Sequence, residues 1–370
     1  MKITDIEVIE SPDDEGFIWI LINTDEGITG IGELNRKAPA VQSMVEIYAH
    51  SCLLGEDPRR IDWLWENMYL YARPHGSTGA EMRAISAVDM ALWDILGKSL
   101  NAPIYALLGG PTRYEIPIYY SGFEDRDLEL SKEAYGDRAQ ELLDEGWEAT
   151  KFGMSGSQKP GMERYLLFER IEQTLMKVQW IRDAVGNDLE VCIDMGGQLE
   201  VPGAVRFAKY LEPTDLMWIE DPVPPDNMTA IEEVARSTSL PICFGEKLAT
   251  RYELRELCER QIADVLNPDL AWTGGISELK RICTFAETYR IPVSPHDSGS
   301  LTTVARIHVM ATVPNARHME FLCHFYPVRN TYISEPLVPK DGTLPLPDGP
   351  GLGVSLSEKI MSQPRMKVIQ

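Results

Sequence analysis

The stretch LEVCIDMGG (189–197) reads as a buried strand that ends on a carboxylate, Asp194, and runs straight into two glycines. Runs of the same kind recur on both sides of it. They are IPIYYSG (116–122), ATKFG (149–153), LMWIED (216–221), PICFGE (241–246), ADVLNPD (263–269), IPVSPH (291–296) and ARHMEF (316–321), which with the first makes eight. Amphipathic helical stretches fall between them, such as RAQELLDEG (138–146) and ISELKRICTFAETY (276–289), where Leu279, Ile282, Cys283 and Ala286 share one face. Eight β/α units in succession are the pattern of an α/β protein built on a parallel (β/α)8 barrel.

Outside the barrel run the rhythm differs. Residues 1–33 read as a hairpin, KITDIEVIE and FIWILINTDEGITGIGE joined by the polar SPDDEG. From about residue 40 to 108 the spacing turns helical, with Ile85, Val88, Leu92 and Ile95 at steps of three and four. The expected organisation is an α+β domain over 1–113, the barrel over 114–330, and a Pro- and Gly-rich segment over 331–370 that returns to the first domain. At 370 residues the chain suits a barrel of about 250 residues plus a second domain.

Bulk properties narrow the partners. With 57 acidic against 35 basic residues the formal charge is −22, which repels nucleic acid and anionic membrane and points to a soluble protein. The six cysteines include no CxxC pair, and Cys192 and Cys243 sit inside apolar runs, as reduced core residues of a cytoplasmic protein do. MKITDIEVIE at the N-terminus has neither a basic n-region nor an apolar h-region, and no stretch is apolar for 18 residues. Secretion and membrane insertion are disfavoured.

Barrel proteins place their chemistry at the C-terminal ends of the strands. Here those ends read Lys151, Asp194, Glu220, Glu246, Asp269, His296 and Glu320. Asp194, Glu220 and Glu246 recur at intervals of 26 residues, one β/α unit each, so three successive strands bring three carboxylates to one mouth. Such a cluster repels itself unless a cation neutralises it, and all-oxygen ligation suits Mg²⁺ with Mn²⁺ as substitute. Taken singly, each carboxylate could equally be a helix cap or a solvated charge.

His296, in SPHDSGS, is the one histidine of the six at a strand end of this type. Asp269 on the neighbouring strand can accept from one imidazole nitrogen, fixing the tautomer and raising the basicity of the other, as in a general base. Lys151 ends an apolar strand, an unusual place for a solvated charge, and can meet a substrate carboxylate or stabilise negative charge. Glu320 either hydrogen-bonds developing charge when protonated or caps a helix.

Read together with SAVDMALWDILGKSLNAPIYALLGG (86–110), WIEDP, GE, NPDLAWTGG and PH, these residues resemble the enolase superfamily and, within it, the mandelate racemase-like subgroup, over nearly the whole chain. The resemblance implies a capping domain built from both chain ends over a (β/α)8 barrel, and a Mg²⁺ that holds the substrate carboxylate. It makes Asp194, Glu220 and Glu246 the metal ligands, His296 with Asp269 the base dyad, and Glu320 the partner of the enediolate. Proteins of this family are commonly homo-oligomers, which is implied by analogy only.

Two positions depart from the subgroup's pattern. Its second barrel strand often ends Lys-x-Lys, whereas this one keeps Lys151 and has Gly153. Related sugar-acid dehydratases often carry a histidine two residues beyond the first metal ligand, where this chain has Gly196. Racemisation needs a proton carrier on each face of the α-carbon, and only the His296 face has one. Dehydration manages with one, since the same histidine can take the α-proton and return it to the leaving β-hydroxyl. The expectation is a dehydratase of an aldonate-type sugar acid that resembles rhamnonate- and galactonate-type enzymes. A racemase or epimerase and a non-catalytic metal-binding scaffold are the alternatives. Substrate contacts are expected from GELNRKAPA (32–40) and YARPHGSTG (71–79), which offer Arg36, Lys37, Arg73 and His75. Arg73 would serve as a second cationic clamp for a diacid. A mono-acid is the preferred expectation.

Overall fold

The structure is a computed structural model that describes residues 1–13, 15–36, 39–74, 76–124, 128–155 and 167–368, with the side chains of 35, 36 and 167 left aside. The chain opens with three antiparallel strands, β1 (Ile3–Glu10), β2 (Phe17–Thr24) and β3 (Thr29–Arg36). The sequence reading made the second and third one long arm of a hairpin. A turn at Gly27, with φ of 76°, divides them, so the unit is a meander.

Helix Ala80–Leu100 packs on this sheet and buries Ile85, Val88, Leu92 and Ile95, the residues whose spacing predicted it. At the other end of the chain a short strand, Arg365–Lys367, pairs antiparallel with β1 and completes the sheet.

The barrel staves are β4 (Glu115–Ser121), β5 (Ala149–Gly153), β6 (Glu190–Asp194), β7 (Trp218–Glu220), β8 (Ile242–Phe244), β9 (Val265–Leu266) and β10 (Met319–Leu322). Each pairs in parallel with the next as far as β9, and β10 pairs in parallel with β4, which brings the sheet round on itself. The predicted strand at 291–296 is only a bridge, Val293 joining Leu266 on one side and Ala316 on the other. Pro292 and Pro295 flank that bridge and have no N–H to extend a ladder.

Side chains alternate along a strand, and that alternation positions the site. Tyr119, Ala149, Cys192 and Trp218 belong to a small apolar cluster that also holds Met217, Cys243 and Val265. Two residues further along the same strands stand Ser121, Lys151, Asp194 and Glu220. All six cysteines are free, five of them buried. No helix among the described residues is long and apolar enough to cross a membrane.

The capping sheet and its helices are fastened to the barrel by buried carboxylates. Glu33 accepts from Ser300 N–H at 3.0 Å and Leu301 N–H at 3.0 Å, at the first turn of helix Leu301–Ala311. Asp89 accepts from Ser277 N–H at 2.9 Å, beside Gly275, whose φ of 81° and close approach to the Asp89 side chain leave no room for a Cβ.

Candidate active site

Lys151, Asp194, Glu220, Glu246, Asp269, His296 and Glu320 all come to the C-terminal end of the barrel, and not all of them end a strand. Lys151 is the third residue of β5 and Glu320 the second of β10, so both stand deeper than the sequence reading placed them. Lys151 is 5% exposed and lies between two carboxylates, 2.7 Å from Glu220 and 2.8 Å from Glu320. Its ammonium is held charged: burial opposes this, and the attraction of Glu220 and Glu320 overrides it.

His296 Nδ1 lies 2.6 Å from Asp269 Oδ2, and Asp269 Oδ1 accepts from Ala271 N–H at 2.7 Å and from the Ser298 hydroxyl at 3.0 Å. The carboxylate is thus fixed from both ends and orients the ring. The other ring nitrogen is 3.4 Å from Glu246 and 3.8 Å from Glu320. Burial works against protonation here, but Glu246, Glu320 and Asp269 outweigh it and lift the imidazole pKa to about 10. That value belongs to the ring beside uncompensated carboxylates; a cation held by Glu246 would remove the largest of those attractions and free the ring to act as a base.

Asp194 and Glu220 are register partners on β6 and β7, and Glu220 pairs with Cys243 on β8, three residues before Glu246. Burial raises both pKa values, that of Glu220 to about 8, and the carboxylates' mutual repulsion adds to it. Three oxygen donors on adjacent strands, with more negative charge than one lysine neutralises, fit a hard divalent cation. Among the described residues no three Asp, Glu, His or Cys side chains surround one point as they stand. Glu220 is drawn to Lys151, and Glu246 to Lys247 at 3.0 Å and to His296.

A cavity of about 280 Å³ is lined by Ser121, Lys151, Gly153, Asp194, His296 and Glu320, among others. A larger one of about 610 Å³ contains none of these residues, so the smaller is the candidate reaction cavity.

The two glycines that depart from the subgroup's pattern differ physically. Gly196 has φ of 61° and donates its N–H to Asp194 Oδ1 at 2.7 Å, so the backbone itself calls for glycine there. Gly153 has no such constraint. Among the described residues a Cβ there would meet only Asp194 O, at 4.0 Å, so its missing side chain leaves room in the cavity wall.

Of the expected substrate contacts, only the Arg73 side chain is among the described residues. Arg73 is exposed at the end of helix Ile61–Ala72 and lines neither cavity. His75 and Lys37, and the Arg36 side chain, lie outside the described residues.

Several participants escaped the sequence reading. Ser121 donates to Glu320 Oε1 at 2.7 Å, and Asp297 N–H donates to Glu320 Oε2 at 2.9 Å. Together with Lys151 these donors hold Glu320 ionised: burial pushes its pKa up, but Lys151 and His296 bring it down to about 2. Asp221, next to Glu220, pairs with Lys247. The only signals for Ser121 and Asp297 were their places at the end of IPIYYSG and directly after His296.

Comparison with known proteins follows the same outline. The model described as mandelate racemase / muconate lactonizing enzyme, N-terminal domain matches residues 8–109, and the one described as enolase C-terminal domain-like matches 134–360. The chain is 32% identical over 366 residues to a D-xylonate dehydratase of Haloferax volcanii, covering 96% of this chain and 87% of that one. It is 29% identical to a D-galactarolactone cycloisomerase of Agrobacterium fabrum, over 96% and 92% of the two chains. A solved structure of an enolase superfamily member from Salmonella Typhimurium superposes with a TM-score of 0.89 at 27% identity, covering 99% of each chain.

Proposed function

Because the chain belongs to the mandelate racemase / muconate lactonizing enzyme family of the enolase superfamily, we propose that it is a hydro-lyase acting on an aldonate-type sugar acid to give a 2-keto-3-deoxy acid. The observation that carries this reading is the one His–Asp dyad among the described residues of the site. His296 is oriented by Asp269 at 2.6 Å, and neither Gly153 nor Gly196 supplies a second proton carrier. Its relative from Haloferax volcanii is named for the same class of reaction.

His296 takes the proton α to the substrate carboxylate through Nε2, with Asp269 holding the opposite nitrogen and the tautomer. Lys151 stabilises the negative charge that develops on the carboxylate oxygens, from a buried position where such an interaction is strong. The imidazolium then returns its proton to the β-hydroxyl as it leaves, so a single residue serves a syn elimination. Ionised Glu320 holds Lys151 and faces His296 rather than donating to the substrate.

Asp194, Glu220 and Glu246 would hold Mg²⁺, or Mn²⁺ in its place. When bound there, the cation supplies charge neutralisation for the substrate carboxylate. We place the reaction in the cytoplasm, where the six free cysteines stay reduced.

The test is a screen of the purified protein with Mg²⁺ against aldonic and aldaric acids, detecting 2-keto acids with semicarbazide. A hit abolished in His296→Asn supports the dehydratase. Deuterium wash-in to recovered substrate without loss of water would replace it with a racemase or epimerase, and silence in both assays would leave a binding scaffold.

A further inference from the structure

The larger cavity, of about 610 Å³, shares no lining residue with the reaction cavity, yet it touches the site at two points. The Trp272 ring, in its wall, lies 5.2 Å from the His296 ring. Lys247, also in its wall, is 3.0 Å from Glu246. Its other boundary is the capping domain, at Thr78, Gly79 and the first turn of helix Ala80–Leu100.

Two donors in this wall meet no acceptor among the described residues. Arg83 places its guanidinium 4.6 Å from the Trp272 ring centroid and forms no ion pair or side-chain hydrogen bond among the described residues. The wall's other cations are engaged, Lys247 by Asp221 and Glu246, and Arg255 by Glu259 at 3.4 Å. The indole N–H of Trp272 is buried and likewise meets no acceptor among the described residues. A buried donor such as this N–H normally finds a partner, while the half-buried Arg83 guanidinium carries donors in a fixed fork that suits a carboxylate or a row of hydroxyls. The wall's carboxylates are partly used up as well: Glu253 accepts from Ala249 N–H at 2.7 Å, and Glu256 pairs with Arg260 at 3.5 Å.

We propose that Arg83 and Trp272 form a subsite for the end of the substrate remote from its carboxylate, and that this subsite sets the chain length the enzyme accepts. The inference rests on the sugar-acid reading of the reaction cavity. Its ligand is a polyhydroxylated chain with an oxygen acceptor at the far end, either a hydroxyl or a second carboxylate. On this reading a two- or three-carbon acid is confined to the smaller cavity, whose lining does not include Arg83. A five- or six-carbon acid that passes His296 along the Trp272 ring brings an acceptor to the Arg83 guanidinium, and a small turn of the ring would bring the indole N–H to it as well.

The test is calorimetric titration with Mg²⁺ present, in a His296→Asn background so that bound acids are not consumed. The probes are pentonates, hexonates, hexarates and D-glycerate. Arg83→Gln is expected to lower affinity for the longer acids, relative to glycerate, by about tenfold or more, the scale of a lost charge-assisted hydrogen bond. Trp272→Phe, which keeps an aromatic ring and removes the N–H, is expected to lower the same ratio several-fold. A greater loss on hexarates than on hexonates marks the far group as a carboxylate, and equal losses mark it as a hydroxyl. An unchanged ratio in both variants overturns the proposal, as does failure of every longer acid to bind. Turnover by the parent protein separates this from the reading beneath it: acids bound in an Arg83-dependent way but never dehydrated would leave the subsite standing and remove the dehydratase.

Discussion

Glu33 of the capping sheet accepts the backbone N–H of Ser300 at 3.0 Å, across 267 residues of sequence. The same carboxylate takes Leu301 N–H, the Ser300 and Thr302 hydroxyls and the Trp19 indole N–H, and it is 1% exposed. It satisfies donors at the start of helix Leu301–Ala311, where the helix dipole favours an anion. That helix follows directly on the loop carrying His296. Glu33→Gln puts an amide donor among donors, and the expected cost is about 3 kcal/mol. A thermal melt should show a clearly lowered midpoint, with capping-domain sites cut earlier in limited proteolysis. A midpoint within a degree of the parent would show that the clamp is dispensable.

Among the described residues Lys151 is the one cation placed between Glu220 and Glu320, so its removal takes the ion-pair partner from two buried carboxylates. Breaking a buried pair by deleting one partner typically costs about 3–5 kcal/mol. Lys151→Met should abolish turnover and, without added metal, lower the melting midpoint. Millimolar Mg²⁺ should restore a larger part of the midpoint in the variant than it adds to the parent, because ligand binding to the folded state stabilises it. Equal Mg²⁺ shifts in both proteins would argue that the cation and Lys151 do not answer the same charge.

What the sequence made legible was whatever repeats. Asp194, Glu220 and Glu246 stand out because one β/α unit separates each from the next and barrel strands present their ends on one face. His296 and Asp269 follow from the same rule. Periodicity does not report how a second domain docks, so the Arg83–Trp272 contact and the Glu33 clamp, each joining residues more than 180 apart, were invisible. It also cannot tell a glycine required by its backbone from one that leaves space. Gly196 and Gly153 read alike in the sequence as missing proton carriers, yet only the first has a positive φ.

That difference is measurable. Gly196→Ala forces a side chain into the left-handed region, with its Cβ 3.0 Å from Gln198 Nε2, and should cost about 1–2 kcal/mol. Gly153→Ala meets no described atom closer than 4.0 Å on an ordinary strand backbone and should be neutral or stabilising by up to about 1 kcal/mol. Urea titration of the two variants beside the parent checks the ranking. A reversed order would mean that the cavity wall at Gly153 is tighter than its surroundings indicate.

His308 gives the fold a pH-dependent contribution distant from the reaction cavity. It is fully buried on helix Leu301–Ala311, accepts from Tyr105 N–H at 3.2 Å, and its other nitrogen lies 3.0 Å from the Leu352 carbonyl. It therefore ties together the barrel, the end of the capping helices and the C-terminal segment. Burial depresses its pKa to about 4, only partly offset by the Leu352 carbonyl. Because the folded value lies below the unfolded one near 6.5, the unfolded chain binds the proton first as pH falls. The neutral ring's contribution is complete above about pH 6.5 and drains away as pH falls toward 4, by about 3 kcal/mol in all. His308→Gln keeps a polar side chain and removes the titration. Stability measured by urea unfolding at pH 7.5, 6, 5 and 4.5 should fall more steeply for the parent than for the variant, so that their difference narrows toward acid pH. Parallel curves would show that the His308 proton is taken up alike in the folded and unfolded states, and that burial does not set its affinity.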